Sequence, residues 1–128
     1  MIFLLDTCTF LWIVDKSPRL SETAGAAFQD RNNEIYLSVA SSWEIAIKYR
    51  AGRLSLRERP EILIPKIREE SEIVSLIIDE ETALLAGRLP ALHSDPFDRM
   101  LVAQAIVHDM TIITPDPQIE QYAVRVLW

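Results

Sequence analysis

Short strand-forming runs alternate with helical stretches along nearly the whole chain, and this alternation restricts the fold more than any other feature. Ile2-Phe3-Leu4-Leu5 is an unbroken apolar run, the pattern of a strand buried on both faces. Ile35-Tyr36-Leu37-Ser38-Val39, Glu72-Ile73-Val74-Ser75-Leu76 and Met110-Thr111-Ile112-Ile113 read as further strands, and Val124 to Leu127 as a closing one. Between them, Phe10, Leu11 and Val14 recur at helical spacing, and Ser21 suits the cap of a helix running to about Arg31, before an Asn32-Asn33 turn. Ser41 and Glu44 have the spacing of a capping box, opening a helix that stops near Gly52. Residues 60–70 suit a helix interrupted by Pro65, and residues 79–87 one ended by Gly87. Asp95-Pro96 opens the longest apolar helix, where Met100, Leu101, Val102, Ala103, Ala105, Ile106 and Val107 cover nearly every side. Asp116-Pro117 starts a short one. The pattern predicts an α/β fold in three layers, a central parallel sheet of four to five strands between two layers of helices. With no repeat or linker, a single domain over residues 1–128 is expected.

The apolar fraction, 49% of 128 residues, supports a real core. No apolar run approaches the roughly 20 residues of a membrane span, so no membrane partner is expected. The apolar start is ended by Asp6 and lacks the basic region and length of a signal peptide. Cys8 is the only cysteine, which rules out an internal disulfide; a cytoplasmic location is expected. The net charge of −6 taken alone argues against a nucleic-acid partner. Yet a protein that gathers carboxylates around a cation looks acidic when the cation is left out of the count. The basic residues also cluster: Lys48, Arg50, Arg53, Arg57, Arg59, Lys66 and Arg68 share one stretch, which fits a solvated surface or a phosphate-facing patch.

Four acids mark the chemistry. Asp6 follows the first strand, Glu44 is expected in the first turn after the second, Asp98 in the first turn of the long helix, and Asp116 after the fourth strand. Any one of them suits a helix N-terminus, where a carboxylate meets free N–H groups and the helix dipole. Their joint placement says more, because ligands of an open parallel sheet bind beyond the carboxyl ends of its strands. Asp6, Glu44 and Asp116 should gather at that edge, joined by Asp98 if its helix starts there. Four carboxylates in one cleft repel unless a cation is present, and hard oxygen donors select Mg²⁺ or Mn²⁺ over Zn²⁺. Such an ion keeps open positions for phosphate oxygens, which suits phosphodiester hydrolysis. Lys48, Arg50 and Arg53 lie just after Glu44 and are candidates for the phosphates flanking a cut.

The stretches MIFLLDTCTFLW, SVASSWEIAIKYRAGRL and LPALHSDPFDRMLVAQAIVHDMTIITPD, with the ending VRVLW, resemble the PIN-domain nucleases, and within these the VapC-type toxins of toxin–antitoxin pairs. DPFDRMLVAQA followed by TIITPD is the most specific part. The resemblance implies an endoribonuclease that uses Mg²⁺, with Mn²⁺ able to substitute, and that has an RNA substrate, a small antitoxin partner and a homodimeric state. It implies that Asp6 and Asp98 are the principal metal ligands, that Glu44 and Asp116 complete the catalytic acids, and that Thr114 is a supporting hydroxyl. Asp95 is a further acid that an Asp-Pro helix cap explains; whether it joins the site stays open. Leu54, Leu56, Ile62, Leu63 and Ile64 suit either packing under the sheet or a groove for an amphipathic peptide.

Other residues carry less. His93 stands close to the acidic helix start, but His108, the only other histidine, offers no pair for acid–base catalysis. Cys8 has nothing nearby to activate a thiolate, and Trp12, Trp43 and Trp128 suit packing better than base stacking. A signalling receiver domain has paired acids after its first strand and a late Lys, whereas here Thr7 follows Asp6 and no Lys follows Lys66. A phosphatase with an Asp nucleophile has a second Asp where this chain has Cys8. A housekeeping RNA-processing nuclease and a catalytically silent α/β binding module are the alternatives to a toxin.

Overall fold

The computed structural model describes residues 1–128. In chain order the elements are β1 (Ile2–Leu5), α1 (Thr7–Val14), α2 (Glu22–Gln29), β2 (Glu34–Ser38), α3 (Val39–Arg50), α4 (Pro60–Glu70), β3 (Val74–Leu76), α5 (Glu80–Arg88), α6 (Pro96–His108), β4 (Thr111–Ile113), α7 (Pro117–Glu120) and β5 (Arg125–Leu127). All five strands pair in parallel, in the order β3-β2-β1-β4-β5. The chain therefore steps outward from β1 to β3, then returns to fill the other flank with β4 and β5. The reversal falls between β1 and β4, where an open sheet of this kind has its crevice.

The strands read as continuous apolar runs because both faces are covered. Phe3, Leu5, Leu37 and Ile113 point into one core with Phe10, Ile45, Leu63 and Ile67 from α1, α3 and α4. Leu4 and Ile112 point the other way, against Leu101, Val102 and Ala105 of α6 and Ile119 of α7. Each such large side chain, fully buried, contributes about 1.5–3 kcal/mol of transfer free energy.

Several boundaries differ from the sequence expectation. Helix α3 starts at Val39 with Ser38 as its cap, the Ser38 hydroxyl accepting from the Ala40 N–H, so Ser41 is not a cap and Glu44 lies in the second turn. Strand β2 passes into α3 without a loop, and Val39 and Ala40 suit either state. Helix α5 runs through Gly87 and ends at an extended Leu89, because the ring of Pro90 disfavours helical geometry in the residue before it. Helix α4 runs through Pro65, which sits on its exposed side. Strand β3 starts only at Val74, after Glu72 turns through a left-handed conformation, and α2 ends at Gln29, before Arg31.

Candidate active site

The register of the central pair builds the site. Leu5 lies opposite Ile113, and the Asp6 N–H donates to the Ile113 carbonyl, so the next residues along, Asp6 and Thr114, face each other at the carboxyl edge. The Thr114 hydroxyl donates to Asp6 Oδ2 at 2.6 Å and accepts from the Asp116 N–H at 3.0 Å. Asp6 occupies the cap position of α1 yet makes no side-chain cap bond. Its carboxylate is held instead by Thr114 and, weakly, by the Cys8 thiol at 3.5 Å.

Glu44 enters from α3. Its Oε1 accepts from the Thr7 hydroxyl at 2.8 Å, and Oε2 pairs with Lys48 one turn on. The bond to Glu44 raises the Lys48 pKa and keeps its ammonium charged. Asp98 comes from the first turn of α6, and the histidine of the preceding loop reaches the same point. His93 Nε2 hydrogen-bonds Asp116 Oδ2 at 2.9 Å and lies 3.0 Å from Asp98 Oδ2. Asp95 and Asp116 do cap helices, through Oδ1 to the N–H groups of Phe97 and Gln118.

Asp6, Glu44, Asp95, Asp98 and Asp116 line one cleft of about 270 Å³, in which Lys48 is the only cationic side chain. Burial first, then the charges of Asp6, Asp95, Glu44 and Asp116, push the Asp98 carboxyl up to about 8. Burial raises Asp6 as well, against the opposing bond from Thr114. Cys8 lines the same cleft, and burial followed by the charge of Asp6 pushes its thiol up to about 12, so it is no nucleophile at neutral pH. The sequence-expected cations separate. Lys48 reaches the cleft, Arg53 is exposed nearby, and Arg50 lines a different cleft with Tyr49, Arg59 and Glu61.

Three supporting residues escaped sequence reasoning. Arg99 donates to the carbonyls of Ala86, Leu89 and Pro90, tying the end of α5 to α6. Tyr122 and His93 fix the loop between those helices. The one available signal was the closeness of His93 to Asp95-Pro96, since the partners of all three come from other elements.

The donor set suits a hard divalent cation. It offers carboxylate and hydroxyl oxygens, and Asp98 Oδ1 accepts from no protein donor, while burial and the neighbouring acids raise the Asp98 carboxyl in the absence of a cation. The Asp6 and Asp98 carboxylates do not cap their helices, which leaves both free to face a cation.

A family model described as "PIN domain" matches residues 3–125. No curated protein matches the chain. Among solved structures, VapBC2 from Rickettsia felis, bound to a DNA fragment from their promoter, aligns with a TM-score of 0.75 at 16% identity, covering 99% of this chain and 98% of that one. VapBC-1 from nontypeable Haemophilus influenzae aligns at 0.67 with 21% identity, over 99% and 97%. FitAcB from Neisseria gonorrhoeae aligns at 0.62 with 20% identity, over 100% and 97%. These likenesses extend over the whole fold.

Proposed function

The chain belongs to the PIN domain family, and from that premise we propose that it is a Mg²⁺-dependent endoribonuclease cutting RNA phosphodiester bonds, with Asp6, Glu44, Asp98 and Asp116 as its catalytic acids. Nucleases are the general rule among PIN domains. The observation that carries the reading is the convergence of these four acids from four elements on one cleft, with Asp98 pushed up to about 8 by burial and then by the neighbouring acids.

A bound Mg²⁺ supplies an acidified water and neutralises charge on the phosphate. Asp6 and Asp98 would hold the ion, and Mn²⁺ could substitute because both ions prefer oxygen donors. Thr114 fixes the rotation of the Asp6 carboxylate, and Thr7 that of Glu44. Lys48 offers the substrate a positive contact among acids that would otherwise repel it, with exposed Arg53 as an outer contact. Arg50, on another cleft, stands too far round the helix to share that task.

The reading extends to the toxin of a toxin–antitoxin pair, a homodimer acting in the cytoplasm and restrained by a small antitoxin. Its support is the likeness of fold to VapBC and Fit proteins over nearly the full length of both chains. No helix is long and apolar enough to cross a membrane.

The test is RNA cleavage by the purified protein with Mg²⁺, with excess chelator, and by Asp6→Asn and Asp98→Asn. Cleavage should need the ion and fall by orders of magnitude in both variants while the fold survives. Full activity of Asp98→Asn, or activity in chelator, sinks the assignment. Expression of the chain alone should arrest growth, with rescue by the adjacent small reading frame. Harmless expression of a protein that cuts RNA freely points to a housekeeping nuclease, and failure to cut any RNA to a silent binding module.

A further inference from the structure

We propose that His93 is a positioning residue: with its proton on Nε2, the imidazole fixes the Asp98 and Asp116 carboxylates at the cleft and is not itself a metal ligand. The inference rests on the metal-dependent reading above. By distance alone the opposite assignment is tempting, since ligand atoms of His93, Asp98 and Asp116 all lie within 4.8 Å of one another, as in a mixed nitrogen and oxygen metal site.

The ring's proton decides between the two. The backbone N–H of Asp95 donates to His93 Nδ1 at 3.2 Å. A backbone N–H can only donate, so Nδ1 presents its lone pair and the ring's proton sits on Nε2. The other side of the ring agrees. Nε2 meets Asp116 Oδ2 at hydrogen-bond distance, 2.9 Å, with Asp98 Oδ2 at 3.0 Å beside it, and a carboxylate oxygen accepts. A lone pair at Nε2 would face the Asp116 carboxylate oxygen, whereas an N–H there satisfies it and separates it from Asp98. A ring whose Nε2 carries hydrogen has no electron pair for an ion there.

The imidazole is also held in place. The His93 N–H donates to the Tyr122 hydroxyl at 2.9 Å, and that hydroxyl donates to the Pro90 carbonyl at 2.8 Å, while the Tyr122 ring is buried in the core beneath α6. The His93 side chain is 9% exposed. Asp95, whose N–H sets the tautomer, caps α6 through its own carboxylate. One loop thus fixes the start of α6, the proton of His93 and the facing oxygens of two acids. Asp98 Oδ1, which has no protein donor, is left as the free oxygen of that carboxylate. Removing such an orienting partner of a ligating carboxylate costs about 10–100-fold in metal affinity.

The experiment is two measurements on the full chain. Long-range ¹H–¹⁵N correlation of the metal-free protein, assigned by loss of the His93 signals in His93→Gln, should show an unprotonated Nδ1 and a protonated Nε2, unchanged on adding Mg²⁺. Calorimetric Mg²⁺ titration should show affinity lowered about 10–100-fold in His93→Leu and largely restored in His93→Gln, whose side-chain N–H₂ reaches the Nε2 position as a donor. An Nδ1–H tautomer, or undiminished affinity in His93→Leu, overturns the positioning role while leaving the nuclease reading intact. Loss of the Nε2 proton when Mg²⁺ binds makes His93 a ligand and overturns it as well. Absence of Mg²⁺ binding by the unaltered protein overturns the metal-dependent reading itself, and with it any role of His93 toward the ion.

Discussion

The hydroxyl of Thr114 donates to Asp6 Oδ2 at 2.6 Å across 108 positions of sequence, and the same oxygen accepts from the N–H of Asp116. Thr114→Val keeps the shape and removes both bonds, leaving a buried carboxylate without its main donor. The variant should lose about 1–3 kcal/mol of stability, the cost of unsatisfied buried polar groups, and bind Mg²⁺ more weakly, while Thr114→Ser should lose little. Denaturant midpoints and calorimetric titration check both; equal midpoints for Val and Ser would show the hydroxyl to be idle.

The burial of these carboxylates, with their crowding, gives the metal-free protein a pH dependence of definite sign. Asp98 is raised from 3.8 to about 8, and Asp6 shifts the same way. A carboxyl raised by folding binds its proton more tightly in the folded chain than in the unfolded one. Its favourable contribution is complete below 3.8 and is lost as pH climbs through about 8. Metal-free stability should therefore fall across that window, and Asp98→Asn should flatten the slope and be the more stable form at its upper end. Saturating Mg²⁺ should stabilise the unaltered protein most at high pH, where the acids are ionised. Chemical denaturation at a series of pH values reads the slope, and a metal-free midpoint that rises through the window would contradict this account.

Lys48 and Arg50 are two residues apart but line different clefts. Lys48→Gln should weaken binding of a non-cleaved RNA analogue and reduce the slope of log affinity against log salt by about 0.7, the loss of one phosphate contact on a single strand. Arg50→Gln should leave the slope unchanged. Equal effects of the two substitutions would return Lys48 to the solvated surface.

The high pKa of Cys8, about 12, and its partial burial predict a thiol inert to alkylation. Iodoacetamide at neutral pH should modify the folded protein at least about tenfold more slowly than the denatured chain, because only the thiolate reacts. Mass spectrometry of timed samples measures this, and rapid labelling of the folded form would mean that the acidic cleft is less closed around the sulfur than the structure shows.

Much of this arrangement was legible from local pattern. An unbroken apolar run ended by an acid located β1 and Asp6 together, and Asp-Pro marked the starts of α6 and α7, because caps are written in adjacent residues. What escaped was set by tertiary contact. Ser41 has the spacing of a cap but sits inside α3, its oxygen 2.9 Å from the Thr7 hydroxyl of another helix. His93 could be weighed only as an isolated histidine, since its meaning lies in Asp116 and Tyr122, more than twenty residues further on. Lys48 and Arg50 looked equivalent as charges, and only the rotation of the helix separated them.

The insertion of β4 beside β1 has a consequence for how the protein comes into being. Strand β1 gains its β4 partner, and Asp6 its Thr114 donor, only across 108 positions of sequence. A chain that carries Asp6, Glu44 and Asp98 but ends before β4 lacks Thr114 and Asp116, so its cleft is incomplete. The acidic cleft is thus completed only when the final strands slot into the sheet.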